Sequence, residues 1–548
     1  MPRGLSTADQ FPTSTSVPAS SGSPLITPDF LDFFQNLARS HLIPGLAVTV
    51  VHAKGDTEYA VWGIGTDVGE PMTIDTMVFL ASCSKAFLSA GMGILMDDFE
   101  AGRNATPLPQ GLTRFDWDTK IKDLLPGEWG LTDEWAEEKA SVRDVLSHVS
   151  GMPRHDASYD RADTPSSVVS RMRYLRPAYE LRERWLYNNQ MYMLCSHIIA
   201  KYAAIPYTRF VQERIFSPLN MSSTYSVGDA LDSGKLAHVW TPQARRIPFP
   251  LSEATTELIA GPAGVIASVA DLAKWIRMLL HAGVNPSTNT TVIPHAVFRG
   301  ITTAHAIVPS RTPVTGYGMG WFRTSYLGHD VVWHDGSLPG VSTVVLFAPS
   351  EGLASPSWST LASRGKPMAS IPSLAFEPTY PRTHKPCTNS RPPAPPDPPP
   401  DFSGTYHNTG YGTIILCSAF DTSSYCRHVL LSFRAIDGGA HNDTHEAEYF
   451  AVWPRVRTTH LRFSPIAHMG SQHRYNAVLT SLFPWGYGWD RRPFETPEEL
   501  GYVDFVIDER TGGVLGFGLV TTDGEEAARK RKGRSVEERA DAWFIKVE

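Results

Sequence analysis

The sequence predicts an α+β chain, an antiparallel sheet flanked by helices beside a helical lobe, with an all-β module after it. Three observations predict this. Strand-forming runs stand at both ends of the first 350 residues, near 45–51, 58–62 and 317–347, with helical patterns between them. A stretch crowded with Ser and Pro follows over 351–400. Alternating runs such as Val429-Leu430-Leu431-Ser432-Phe433 and Tyr502-Val503-Asp504-Phe505-Val506-Ile507 come after it.

Residues 1–26 read as a disordered leader rich in Ser, Thr and Pro, without the apolar segment of a secretory signal. Thr27-Pro28 then caps a helix running through Phe30, Phe33, Phe34 and Leu37. The first two strands are joined by a turn at Lys54-Gly55-Asp56. A helix starts near Ser82 and turns Phe87, Gly91, Ile94 and Leu95 inward, and the apolar run 193–200 suggests a second, buried helix. An apolar strand ends in His334-Asp335-Gly336. The proline run over 391–400 reads as a stiff, extended linker.

The chemistry begins at Phe79-Leu80-Ala81-Ser82-Cys83-Ser84-Lys85. Positions i and i+3 share a helix face, so Ser82 and Lys85 meet in one pocket. Serine is a weak nucleophile until a base takes its proton, and a desolvated lysine is neutral enough to do so. A second Ser-x-x-Lys, Ser363 to Lys366, runs straight into Pro367, which disfavours helix. Cys83 points to another face of the helix and reads as a small packing residue.

Two further elements follow in order, Tyr187-Asn188-Asn189 and His334-Asp335-Gly336-Ser337. Together the three resemble the active-site elements of the serine β-lactamase and penicillin-binding-protein superfamily. Val142 to Pro153, with its Leu-Ser-His-Val-Ser-Gly core, Gly261 to Ser268 followed by Asp271 to Trp275, and Gly316 to Trp321 resemble other landmarks of that family. Tyr406-His407-Asn408 repeats the middle element but falls after the third, and order excludes it. The resemblance implies a β-lactamase-like catalytic domain over 27–350. It implies Ser82 as nucleophile, Lys85 and Tyr187 as proton carriers, and Asn189, His334, Asp335, Gly336 and Ser337 as substrate-binding residues. The oxyanion hole would be the N–H groups of Ser82 and Ser337. Which of Lys85 and Tyr187 is the base stays open.

His334-Asp335-Gly336 stands where β-lactamases usually carry Lys-Thr-Gly, exchanging a fixed cation and a hydroxyl for an imidazole and a carboxylate. A β-lactam carboxylate would be repelled by Asp335, so the expected chemistry is that of esterases, amidases or acyl-transferring enzymes. His148 is expected to make a structural hydrogen bond, and His155-Asp156 to shape a loop bordering the cleft. The family continues with one more sheet strand and a long final helix, neither evident over 350–390, so 351–400 reads as linker or a divergent domain end. Phe402 to Gly412 resembles the start of a lipocalin-like C-terminal β-barrel found in some members, giving a small barrel domain over 401–548.

Composition fits a globular enzyme, with 42% hydrophobic and 19% charged residues. The net charge of −7 argues against nucleic acid as a partner, and the basic cluster 529–534 reads as a solvated loop. No His and Cys spacing suggests zinc and no Gly-rich loop suits phosphates, so no cofactor or metal is expected. The five cysteines form no regular framework and read as free thiols; with no visible signal or membrane span, they favour the cytosol. The expected function is a serine hydrolase or acyltransferase acting on a small-molecule ester or amide. A non-catalytic scaffold and a secondary-metabolism acyltransferase or lactone hydrolase are the alternatives, and a homo-oligomer through the barrel is a further expectation.

Overall fold

A computed structural model describes residues 13–16, 24–309, 313–360, 400–437, 448–466, 473–522 and 534–547. Helix α1 (Pro28–Ser40) begins as expected, with Thr27 Oγ1 accepting from the Phe30 N–H at 3.2 Å and Pro28 in the first turn, where its missing donor costs nothing. Strands β2 (Gly45–His52) and β3 (Thr57–Gly63) form the expected hairpin. The leader is not wholly without structure. Strand β1 (Thr13–Ser16) pairs with β3, and the N–H groups of Leu25 and Ile26 donate to the Glu58 carboxylate. An uncovered β3 would leave a row of unpaired backbone groups, which β1 satisfies.

The C-terminal half of the sheet is a meander: β4 (Ala306–Val308), β5 (Thr315–Tyr317), β6 (Phe322–Tyr326), β7 (His329–Leu338) and β8 (Val341–Ala348). Strand β9 (Leu353–Ser359) lies between β8 and β2 and joins the two halves into one antiparallel sheet of order β1-β3-β2-β9-β8-β7-β6-β5-β4. The sheet strand expected to be missing after residue 350 is therefore present. Its sequence hides it, because four of its seven residues are Ser or Pro. Pro356 has no N–H to give, and the pairing with β2 lapses at 355–356 before resuming at Ser357. The expected final helix, the second Ser-x-x-Lys and most of the proline run and basic cluster lie outside the described residues.

Three helices carry the core beside this sheet: α2 (Ser84–Glu100), α3 (Gln190–Ala203) and α4 (Thr256–Ala263). They approach closely at Gly261, where a Cβ would stand 2.6 Å from Leu88 Cδ1 and 2.7 Å from the Tyr192 carbonyl oxygen. Helix α5 (Val269–Leu280), capped by Ser268 Oγ accepting from the Asp271 N–H, packs on β2 and β9.

The C-terminal region is a closed eight-stranded antiparallel barrel. Its strands are β10 (Gly404–Asn408), β11 (Gly412–Ser418), β12 (Tyr449–Val452), β13 (His460–Pro465), β14 (His473–Phe483), β15 (Phe494–Ile507), β16 (Val514–Thr521) and β17 (Ala542–Lys546). Aromatic side chains fill it, including Phe402, Tyr406, Phe505 and Phe517. The 429–433 run is a correction: it lies in helix α6 (Ser424–Ile436) and not in a strand. Ser423 caps the helix, and Cys426, Val429, Leu430 and Phe433 recur at helical spacing as its buried face.

The expectation of five free thiols also fails. Cys417 on β11 and Cys426 on α6 form a disulfide, whereas Cys83 and Cys195 are free and buried. The cysteine argument for the cytosol falls with it. Among the described residues no helix is long and apolar enough to cross a membrane.

The barrel is docked onto the first part of the chain by polar contacts. Arg161 donates to the carbonyls of Arg455 and Val456, and Arg176 to those of Glu537 and Ala540. His155 donates from Nε2 to the Arg176 carbonyl at 2.9 Å, which leaves Nδ1 to accept from the Tyr411 hydroxyl at 2.6 Å.

Candidate active site

Ser82 sits in a short 3₁₀ turn, Ala81–Cys83, that leads directly into α2. Ala81 has φ +49°, left-handed backbone that costs a non-glycine residue about 1–3 kcal/mol and is sustained by the packing around it. The turn sets Lys85 in the first turn of α2, completely buried, with Nζ 3.4 Å from Ser82 Oγ. The neighbouring Cys83 points away from the pair, its thiol bonded to the His334 carbonyl at 3.3 Å and pushed up to about 12 by burial.

Tyr187 and Asn189 arrive from the segment just ahead of α3. The Tyr187 hydroxyl donates to Ser82 Oγ at 2.7 Å, and burial holds its pKa well above the ordinary value. Asn189 Oδ1 accepts from Lys85 Nζ at 2.9 Å. The third partner of Nζ is the Pro262 carbonyl, also at 2.9 Å. That carbonyl belongs to the last turn of α4, where no intrahelical N–H is left to bond it. Burial drives the Lys85 pKa well below the usual lysine value; Arg154 pushes the same way and Asp156 opposes it.

Loop 153–159 supplies residues that the sequence reading placed only at the cleft border. Asp156 accepts from Asn189 Nδ2 with both oxygens at 3.2 Å and from the Tyr159 hydroxyl at 2.8 Å. Burial acts to raise the Asp156 pKa, but Arg154 and Arg457 outweigh it and keep the carboxylate below its ordinary range. The Arg154 guanidinium pairs with Asp156 and lies 5.3 Å from the Tyr187 ring centre. His148 lies under Tyr187 with ring centres 4.5 Å apart, and its Nδ1 accepts from the Asn188 N–H at 3.1 Å. Burial, Lys85 and His334 depress its pKa, so it stays neutral.

Strand β7 divides the other four expected residues between its two faces, as alternation requires. Gly336 faces the Ser82 turn: a Cβ there would stand 2.3 Å from the Leu80 carbonyl oxygen and 2.4 Å from Thr343 Oγ1. His334 is buried on the same face, with Nε2 3.1 Å from the Tyr317 hydroxyl and Nδ1 2.5 Å from the Asp335 carbonyl. Asp335 is half-buried and Ser337 exposed on the opposite side. Ser82, Lys85, Tyr187 and Asn189 thus form one hydrogen-bonded cluster, Gly336 lets β7 pass close beside it, and the buried His334 ring lies 6.4 Å from that of Tyr187, centre to centre.

Two cavities open beside this cluster, one of about 230 Å³ reaching Asn189 and Asp156 and one of about 980 Å³ reaching Ser337. A larger cavity of about 1310 Å³, lined by Trp117, Arg143 and Arg299, is lined by none of the candidate residues. Arg154 lies two residues from the Asp156 flagged in the sequence, and its basic charge was the available signal. Arg457 and Tyr411 lie more than 200 positions away from Ser82, and no local pattern marks them.

The Beta-lactamase family model matches residues 30–370. The chain is 30% identical over 348 residues to Unguisins hydrolase ungD' of Aspergillus campestris, covering 61% of each protein. It is 27% identical over 344 residues to Unguisins hydrolase ungD of Aspergillus violaceofuscus, covering 56% of each. The match therefore spans about three fifths of these relatives' length. Among solved structures, an octameric penicillin-binding protein homologue from Pyrococcus abyssi superposes with a TM-score of 0.52 at 16% identity, covering 88% of this chain and 96% of that one. A class C β-lactamase from Rhodobacter sphaeroides gives 0.50 at 18% identity, covering 62% and 95%. Both show likeness of fold.

Proposed function

This chain belongs to the β-lactamase family, and from that premise we propose that it is a serine hydrolase cleaving a small-molecule ester or amide through an acyl-enzyme on Ser82. The observation that carries this reading is the set of partners around Lys85. A neutral amine has two N–H donors and one lone pair. Lys85 Nζ has two carbonyl acceptors, Asn189 Oδ1 and Pro262 O, and one hydroxyl, Ser82 Oγ. The carbonyls take the two hydrogens and the lone pair is left for the serine proton.

Lys85 accordingly acts as the base when Ser82 Oγ attacks the substrate carbonyl. Tyr187 donates to Oγ at rest and relays a proton to the leaving group as the tetrahedral intermediate collapses. Water, activated by the same pair, then releases the acid and restores Ser82. The N–H groups of Ser82 and Ser337 serve as the oxyanion hole, β7 being brought alongside by Gly336. The relatives named unguisins hydrolase favour water over another acceptor and make unguisins the first compounds to try.

The test is intact-mass analysis of the wild type and of Ser82→Ala after exposure to a fluorophosphonate. One adduct on the wild type and none on the variant is the expected result. A folded wild type that takes up no adduct overturns the reading.

A further inference from the structure

The two cavities beside the candidate site share a turn of the barrel as part of their lining. That turn joins β12 to β13 and is rigidly held: the Trp453 N–H donates to the Thr459 carbonyl at 3.0 Å and the Arg455 N–H to the Thr458 carbonyl at 2.8 Å. Arg161 grips it from the other side through the Arg455 and Val456 carbonyls. From this turn Arg457 reaches Glu498 on β15 and donates to it at 2.7 Å. Arg457, Glu498 and Glu499 line both cavities, so the ion pair stands at their shared boundary.

The compartments differ in size. The smaller, about 230 Å³, presents Arg154, Asp156, Asn189 and Thr522. The larger, about 980 Å³, is lined by Phe249, Val478 and Phe483 and equally by polar side chains, Ser337, Gln243 and Asn476 among them. Asn189 is one hydrogen bond from Lys85, and Ser337 is next to the Gly336 that packs on the Ser82 turn. The candidate cluster therefore adjoins a small compartment through Asn189 and a large one through the end of β7.

We infer that the barrel is the far wall of the substrate cleft and that Arg457 and Glu498 determine specificity there, selecting a peptide-like substrate with a bulky group on one side of the scissile bond and a small group on the other. The inference rests on the reading of Ser82 as the nucleophile. A guanidinium donates to an amide carbonyl and a carboxylate accepts from an amide N–H, so the pair complements a peptide unit passing between the compartments. The two charges cancel, which suits a neutral amide. About 980 Å³ is at the upper end of the range that holds a drug-sized ligand, room for an oligopeptide of a few residues.

Val478→Trp fills the larger compartment from a half-buried strand position, and Arg457→Ala removes the boundary donor. Two readouts test them in the full-length protein. In a Ser82→Ala background, binding of a dansylated tetrapeptide amide of apolar residues is followed by fluorescence anisotropy. In the Ser82 protein, kcat/KM is measured for the p-nitrophenyl esters of acetate and of an N-capped apolar tripeptide. Each variant is expected to weaken peptide binding, and to lower the ratio of large-ester to small-ester kcat/KM, by about tenfold or more, chiefly through KM. Peptide binding that ignores both variants, or is absent altogether, while Ser82 turns over the acetyl ester, overturns the cleft proposal and leaves the hydrolase reading intact. A Ser82 that takes no fluorophosphonate, with peptide binding still weakened by both variants, overturns the hydrolase reading and leaves Arg457 and Glu498 as determinants of peptide binding alone.

Discussion

Lys85 Nζ and Asn189 Oδ1 are 2.9 Å apart, and the amide nitrogen of the same Asn189 donates to both oxygens of Asp156 at 3.2 Å. Asp156 can only accept, so it fixes which end of the amide faces the lysine. Replacing that neutral acceptor with a carboxylate, Asn189→Asp, favours the ammonium form and raises the Lys85 pKa. The acidic limb of the Ser82 labelling rate is then expected to move to higher pH than in the wild type. An unmoved limb would mean that Lys85 is not the titrating base.

The depressed Lys85 pKa makes a second prediction, on both rate and stability. The wild-type acidic limb should lie well below the ordinary lysine range, and Lys85→Met should cut turnover by about 10²–10⁴-fold. On unfolding, a lysine held neutral in the fold takes up a proton at any pH between its folded and unfolded pKa values. The unfolded state binds more protons in that window, so stability rises with pH there. Relative to Lys85→Met, the wild type should gain up to about 1.4 kcal/mol per pH unit on approaching the unfolded lysine value. Urea midpoints of both proteins at pH 7, 8 and 9 measure the slope, and parallel curves refute it.

Gly336 allows β7 to run against the Ser82 turn, where any Cβ would strike the Leu80 carbonyl oxygen and Thr343 Oγ1. Gly336→Ala is expected to cost about 1–3 kcal/mol of stability by overpacking. It should also slow Ser82 labelling, because the strand is pushed from the turn that carries the serine. Normal labelling in a destabilised protein would separate strand position from reactivity.

The disulfide between Cys417 and Cys426 closes a short loop, nine residues apart in sequence, and its reduction should lower barrel stability by about 2–4 kcal/mol. Alkylation of the unfolded, unreduced chain should modify no more than three of its five cysteines, five less the bonded two. Five modified cysteines without reductant would remove the bridge.

The sequence by itself determined whatever depends on short spacing. Ser82 and Lys85 meet because three residues make nearly one helical turn, and α1 starts at Thr27 because a hydroxyl before Pro28 satisfies a first-turn donor. The order of the three active-site elements was readable too, since each lies within a few residues. Tertiary structure decided the rest. Strand β9 exists despite its serines and Pro356 because β2 and β8 both need a partner for their backbone groups. The 429–433 run became helix because the buried face it shares with Cys426 follows helical spacing, which a five-residue window does not display. His334 is buried beside Tyr187 because strand alternation puts it on the same face as Gly336, toward the Ser82 turn. Arg457 and Tyr411 came to the site because the barrel docks on loop 153–159, and contacts across more than 200 residues are set by packed surfaces that leave no periodicity in the chain.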